Sequence, residues 1–264
     1  MADAGARASG EGRSDSSGRE ARRPAFYALS PGGWRDLVTI LHPPYTAWHL
    51  SYVALGAAAA PSFHPVRLWS ALGAFFLAVG IGAHALDELH GHPLGTRLSN
   101  RTLALLAGSA LAGAVGIGIT GLFVVSWTLL PFVLAGAFGV LAYNLELFGG
   151  RFHTGFWFAA AWGAFPALTG FWVMALGVHS AGETIAGIAV AGACFGFSVA
   201  QRRLSTPARE LRRRTVSVEG AQRLADGTTR ELTAARLSAP LDGALKALSA
   251  SVVLLAVAAV AIRL

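Results

Sequence analysis

The chain has 264 residues, 54% of them hydrophobic and only 13% charged, with a mean hydropathy of +0.53. A soluble domain carries roughly a quarter charged residues, so the composition excludes an ordinary water-soluble globule and indicates an integral membrane protein. The formal net charge of +7 is concentrated in the N-terminal tail and in residues 202–236, beside apolar runs, which points to anionic lipid as the partner and argues against nucleic acid.

Residues 1–24 are rich in Gly, Ser, Arg and Glu; such a segment cannot bury a core and is expected to be disordered. Residues 25–44 read as an interfacial lead-in, with Trp34 and Arg35 at headgroup level and His42-Pro43-Pro44 breaking any helix. Apolar runs come next at 45–61, 66–86, 102–122, 124–143, 155–177, 181–200 and 243–262. Each is near the ~20 residues that cross a bilayer, so the pattern predicts an all-α, polytopic bundle of about seven spans, six of them within 45–200 and the last in 243–264. Residues 201–242 form a basic insertion, read as two short surface helices, the first starting at Ser205-Thr206-Pro207. The arginines of the tail, of 97–101, Arg151 and the run 202–214 fall on one side of the membrane, which predicts a cytoplasmic N-terminus. The single cysteine, Cys194, lies in an apolar run, so neither an internal disulfide nor a Cys-based metal cluster fits.

Chemistry-bearing residues gather at the ends of spans predicted to face the cytoplasm. The stretch 81–101 places His84, Asp87 and Glu88 at helical spacing i, i+3 and i+4, on one face, with His90 and His92 on the adjoining loop. Ionisable groups at the mouth of a membrane helix are functional candidates. Asp87 and Glu88 suit Mg²⁺, which binds through one or two carboxylates plus substrate phosphates. His84, Asp87, His90 and His92 would instead suit a softer metal. A second group, Tyr143, Asn144, Glu146, Arg151 and His153, surrounds the end of span four, where Arg can hold a phosphate. A third, Ser198, Gln201, Arg202 and Arg203, ends span six. Trp48 and His49 lie within span one, and span five is rich in Trp and Phe, as a packing surface or an apolar channel would be.

Several of these segments together resemble the UbiA superfamily of intramembrane prenyltransferases. His42-Pro43-Pro44 resembles the family's early Arg-Pro segment. Asp87 and Glu88 occupy the place of its first Asp-rich motif. His92-Pro93-Leu94 through Ser99-Asn100-Arg101-Thr102 is similar to the family's basic Pro-Leu segment and to its Ser-Arg-Thr-like start of span three. Tyr143, Arg151, Gly155 and the sequence PALTGFW at 166–172 look like the family's spans four and five. The resemblance covers about 40–200. It implies a helical bundle open to the cytoplasm that acts on an isoprenoid diphosphate and a lipophilic acceptor, with Mg²⁺ held by Asp87 and Glu88. It further implies that Tyr143 and Arg151 contact the diphosphate or shape the donor site; with His84, Asn144, Arg202 and Arg203 from the clusters above, these are the candidate substrate-binding residues. The family's second Asp-rich motif is replaced here by QRRLSTPARELRRR, and its usual span count is higher. Two further readings therefore stand beside catalysis: a non-enzymatic UbiA-like binding or transport protein, and a membrane metalloprotein using the cluster at 84–92.

Overall fold

Proline, glycine and capping hydroxyls divide the apolar sequence into helices. In the computed structural model, which describes residues 23–264, these are α1 (Trp34–Ile40), α2 (Pro43–Ala59), α3 (Pro65–Leu89), α4 (Asn100–Val124), α5 (Trp127–Asn144), α6 (Gly155–Ala175), α7 (Ala181–Arg213) and α8 (Ala234–Ala261). Pro43 and Pro65 open α2 and α3, where a missing N–H costs nothing. Side chains of Ser99, Thr154, Ser180 and Thr233 accept a backbone N–H at the starts of α4, α6, α7 and α8. The expectation of disorder over 1–24 lies outside the described residues, apart from Arg23 and Pro24.

Among the described residues, six helices, α3 to α8, are long and apolar enough to cross a membrane. The run expected as the first of about seven spans is α2, a helix of 17 residues. It is the hub of the bundle, packing against α6, α8, α7 and α3. The α2–α6 crossing is a backbone-to-backbone contact. A Cβ on Gly56 would overlap the Ala167 carbonyl, and one on Gly170 would overlap the Val53 carbonyl. Small residues at both faces let the helices meet without a layer of side chains, the packing favoured where lipid supplies no hydrophobic drive.

Two helices carry a π-helical stretch, Phe76–Ala83 in α3 and Ala160–Ala164 in α6. Such stretches widen a helix locally and recur at functional sites. In α6 the stretch precedes Pro166, which has no N–H to give the carbonyl four residues earlier. That carbonyl, of Trp162, is met by His49 Nδ1 at 2.8 Å. His49 is thus a buried polar tie between α2 and α6.

The insertion 201–242 differs from expectation. Rather than forming two surface helices, α7 runs unbroken through Pro207 to Arg213. Next comes a small antiparallel hairpin, β1 (Ala221–Arg223) and β2 (Thr229–Glu231), turned at Asp226-Gly227, and α8 begins at Ala234. Pro207 has the sequence context of a helix start, but tertiary packing of the buried neighbours Ser205 and Ala208 carries the helix past it. Arg212 and Asp242 then form an ion pair that ties α7 to α8.

Candidate functional site

The site is built at the end of the bundle where α3, α5 and α7 bring their polar termini together. On α3, Glu88 is fully buried. Its carboxylate accepts the N–H of Leu94 at 2.9 Å, the N–H of Thr96 at 3.0 Å and the Thr96 hydroxyl at 2.8 Å, and His92 Nδ1 lies 3.5 Å away. Both oxygens are committed to the loop 90–99. Asp36 on α1 is 2% exposed and grips the same loop from the other side, accepting the N–H of Arg97 at 3.1 Å and that of Gly32 at 2.9 Å.

Asp87, one residue before Glu88, is half-buried. The basic side chains whose fields reach its carboxylate are His153, Arg209, His90 and Arg213. Arg202, Arg209 and Arg213 lie at helical spacings of seven and four on α7 and share one face. Arg202 Nη1 donates to the Tyr143 hydroxyl at 2.8 Å, and its guanidinium sits 5.1 Å from the centre of the Phe158 ring. Tyr143 also stacks on His153, with centroids 4.5 Å apart, and packs at 4.8 Å on Trp162.

Beside Asp87 the His42 and His84 rings lie 4.0 Å apart, and Tyr27 and Tyr45 contact His42 at 5.2 and 6.5 Å. His42 caps α2 in the left-handed region, with φ 44°, and its enclosed Nε2 has no hydrogen-bond partner among the described residues. Burial, and then the neighbouring His84, hold its imidazole well below the usual histidine pKa, so it is neutral. Burial likewise pushes the Tyr27 hydroxyl up, keeping it protonated.

An apolar cavity of about 910 Å³ runs between α3, α4, α5 and α6. Its walls include Ala74, Phe75, Ala114, Val133 and Phe165, with Tyr143, Phe152, Trp157 and Trp162 also among the lining residues. Wall positions run from Val66 to Val79 on α3 and from Leu129 to Tyr143 on α5. At the helical rise this is about 20 Å, much of a bilayer's hydrocarbon thickness. Tyr143 belongs to both regions. Its ring lines the groove and its hydroxyl is held by the first arginine of the polar cluster.

The residues expected from the sequence divide accordingly. Asp87, Tyr143, Arg202 and His84 meet in or beside one cluster. Glu88 does not act as an available carboxylate; it is the structural anchor of the loop. Asn144 is buried and donates to the Val140 carbonyl at 2.8 Å, which makes it a helix-end tie. Arg151 and Arg203 are exposed, the first on the loop after α5 and the second off the face shared by Arg202, Arg209 and Arg213. His90 and His92 do not converge with His84 on a metal. Their ring nitrogens pair with the Leu86 carbonyl and with Asn100 Oδ1, while His84 pairs with the Gly80 carbonyl. Among the described residues no group of three or more His, Cys, Asp or Glu side chains can hold a metal ion. With Glu88 committed, Asp87 is the only carboxylate left at this position on α3, so the donor set does not fit the expected Mg²⁺ centre. Asp36, Tyr27 and Tyr45 belong to this end of the molecule although the sequence did not mark them; a lone carboxylate two residues after Trp34 was the only sign of Asp36.

The chain matches no protein-family model, no curated protein and no solved structure.

Proposed function

We propose that this integral membrane protein takes up an isoprenoid-type lipid diphosphate from the bilayer, with its chain in the groove between α3, α4, α5 and α6 and its head at the α7 arginines. The observation that carries this reading is Tyr143, whose ring lines the groove and whose hydroxyl binds Arg202. An amphipathic ligand needs such a junction: an apolar trough long enough for a chain, ending at donors suited to phosphate. The UbiA-like segments around Asp87 and Tyr143 support the same ligand class. The arginine asymmetry supports a cytoplasmic N-terminus and a head-group site at the cytoplasmic face.

Binding or transport is the leading form of this reading, because among the described residues no second free carboxylate joins Asp87 for Mg²⁺-assisted ionisation. Transfer of the prenyl group to a lipophilic acceptor is the second form. It is favoured by the aromatic faces of Tyr143, Phe158 and Trp162 at the junction, which can stabilise positive charge at the head end of the chain.

The test uses detergent-purified protein and its melting temperature. Farnesol and farnesyl diphosphate should both raise it in the wild type, since a ligand of the native state stabilises by mass action. Neither should do so in Ala114→Trp, which fills the groove. No shift with either compound in the wild type would refute lipid uptake. Pyrophosphate release on adding a lipophilic acceptor would select the transfer form.

A further inference from the structure

The three arginines of α7 and Asp87 carry an inference about head-group recognition that rests on the lipid-binding reading above. Three guanidinium groups share one helix face, and the fields of two of them, Arg209 and Arg213, reach Asp87, a carboxylate of α3 that accepts no hydrogen bond among the described contacts. The neighbouring acids are otherwise engaged or displaced. Glu88 is bonded to its loop although its field also reaches Arg213, Asp242 is paired with Arg212, and Glu210 and Glu146 are exposed, as are Arg209 and Arg213, the latter donating Nε–H to the Pro24 carbonyl at 3.0 Å. The neutral partners on this face are Tyr143, whose hydroxyl already orients Arg202, and the His42–His84 pair. The arginine face therefore has positive charge that Asp87 leaves uncompensated. It is also rigid at one end, because Arg202 is fixed between a hydroxyl and the Phe158 ring.

We propose that this is a metal-independent site for a lipid phosphate or diphosphate, in which Arg202, Arg209 and Arg213 bind the head group and Asp87 is the internal counter-anion that the head group must face. Planar guanidiniums at helical spacing offer forked donors to phosphate oxygens, a role that a divalent cation fills elsewhere. Asp87 then opposes the ligand's charge instead of recruiting it through a metal. It tunes affinity, so that a highly charged head is held against a penalty and can be released.

The two assignments for Asp87 predict effects of opposite sign. As a metal ligand, Asp87→Asn abolishes diphosphate binding, and EDTA abolishes it in the wild type. As a counter-anion, Asp87→Asn tightens binding by about tenfold or more, tenfold being the scale expected for removing one like charge about 12 Å away at an effective dielectric near 20. Farnesyl diphosphate and farnesol are titrated into full-length protein in detergent, in EDTA and in Mg²⁺. The variants are Asp87→Asn, Asp87→Ala, Arg209→Gln and Arg202→Gln.

The expected result is EDTA-insensitive farnesyl diphosphate binding, tightened in both Asp87 variants and weakened about tenfold or more in both arginine variants, with farnesol affinity unchanged throughout. Two Asp87 variants guard against a folding defect specific to one of them, and farnesol binding certifies that each variant is folded. Loss of farnesyl diphosphate binding in EDTA, or in Asp87→Asn while farnesol still binds, overturns the proposal and leaves the groove reading intact. Failure of both compounds to bind the wild type overturns both.

Discussion

Asp36 and Glu88 hold one loop from opposite sides: Glu88 accepts the N–H groups of Leu94 and Thr96, and Asp36 accepts that of Arg97. The loop links α3 to α4, and both carboxylates are nearly or wholly inaccessible. Charge-assisted hydrogen bonds to backbone N–H groups satisfy donors that would otherwise be buried without partners. The clamp fixes the last turn of α3 and with it the direction of Asp87. Glu88→Gln and Asp36→Asn should each lower stability by about 1–3 kcal/mol, the cost of leaving a buried donor unsatisfied. Because the two residues share the loop, the double variant should lose less than the sum of the single losses, as read from a double-mutant cycle on melting temperatures. Strict additivity would show that the two carboxylates act on separate structures.

Tyr143 joins the apolar groove to the polar cluster through one hydroxyl, 2.8 Å from Arg202. Tyr143→Phe keeps the ring, its stacking on His153 and the groove wall, and removes only the donor–acceptor link. A hydrogen bond to a charged group contributes roughly 1.5–3 kcal/mol, so farnesyl diphosphate affinity should fall about tenfold or more while farnesol affinity stays constant. Titration of both compounds into the same preparation checks this. A parallel loss for both would mean that the substitution had disturbed the groove.

Much of this arrangement was legible in the sequence. The apolar runs and their lengths gave the helices, and the Pro and Gly positions gave most of the boundaries. His42-Pro43-Pro44 breaks the chain between α1 and α2 as expected, since a residue before proline is steered away from helix. The commitment of individual polar atoms could not be read. Asp87 and Glu88 are adjacent acids at the end of one helix, yet one is enclosed and bonded while the other faces the arginines. That difference depends on where the loop 90–99 returns. Pro207 misled for a related reason. A local breaker was overridden by the packing of α7 against α8 and by the Arg212–Asp242 pair, which no spacing rule announces.

The α2–α6 crossing offers a test of the bundle itself. Gly56 and Gly170 each place a hydrogen where any other residue would put a carbon against a backbone carbonyl of the opposite helix. A backbone carbonyl cannot swing away as a side chain can. Gly170→Val and Gly56→Ala should therefore destabilise by at least the 1–3 kcal/mol typical of overpacking. Gly108→Ala on α4, where nothing lies within 4 Å of the added carbon, should be neutral. Melting temperatures of the three variants in one detergent decide the matter. Equal values would mean that the crossing is looser than described.

The His42–His84 pair predicts how stability depends on pH. Burial holds His42 neutral in the folded protein, with its pKa well below the ordinary value of 6.5. In the unfolded chain the same ring takes up a proton near 6.5. Below that pH the unfolded state therefore binds more protons than the folded state, so stability must fall as pH falls. The contribution of His42 is complete above about 6.5 and is lost progressively on acidification toward its folded pKa. The groups around the ring, Tyr27, Tyr45, His49, His84, Arg209 and Arg213, include no carboxylate in direct contact that would stabilise an imidazolium. Melting temperature should hold steady from about pH 8 to near 6.5 and decline below it. His42→Gln cannot take up that proton, so it should make the decline shallower. An undiminished slope in this variant would assign the acid sensitivity to other groups and make the His42 ring a packing element alone.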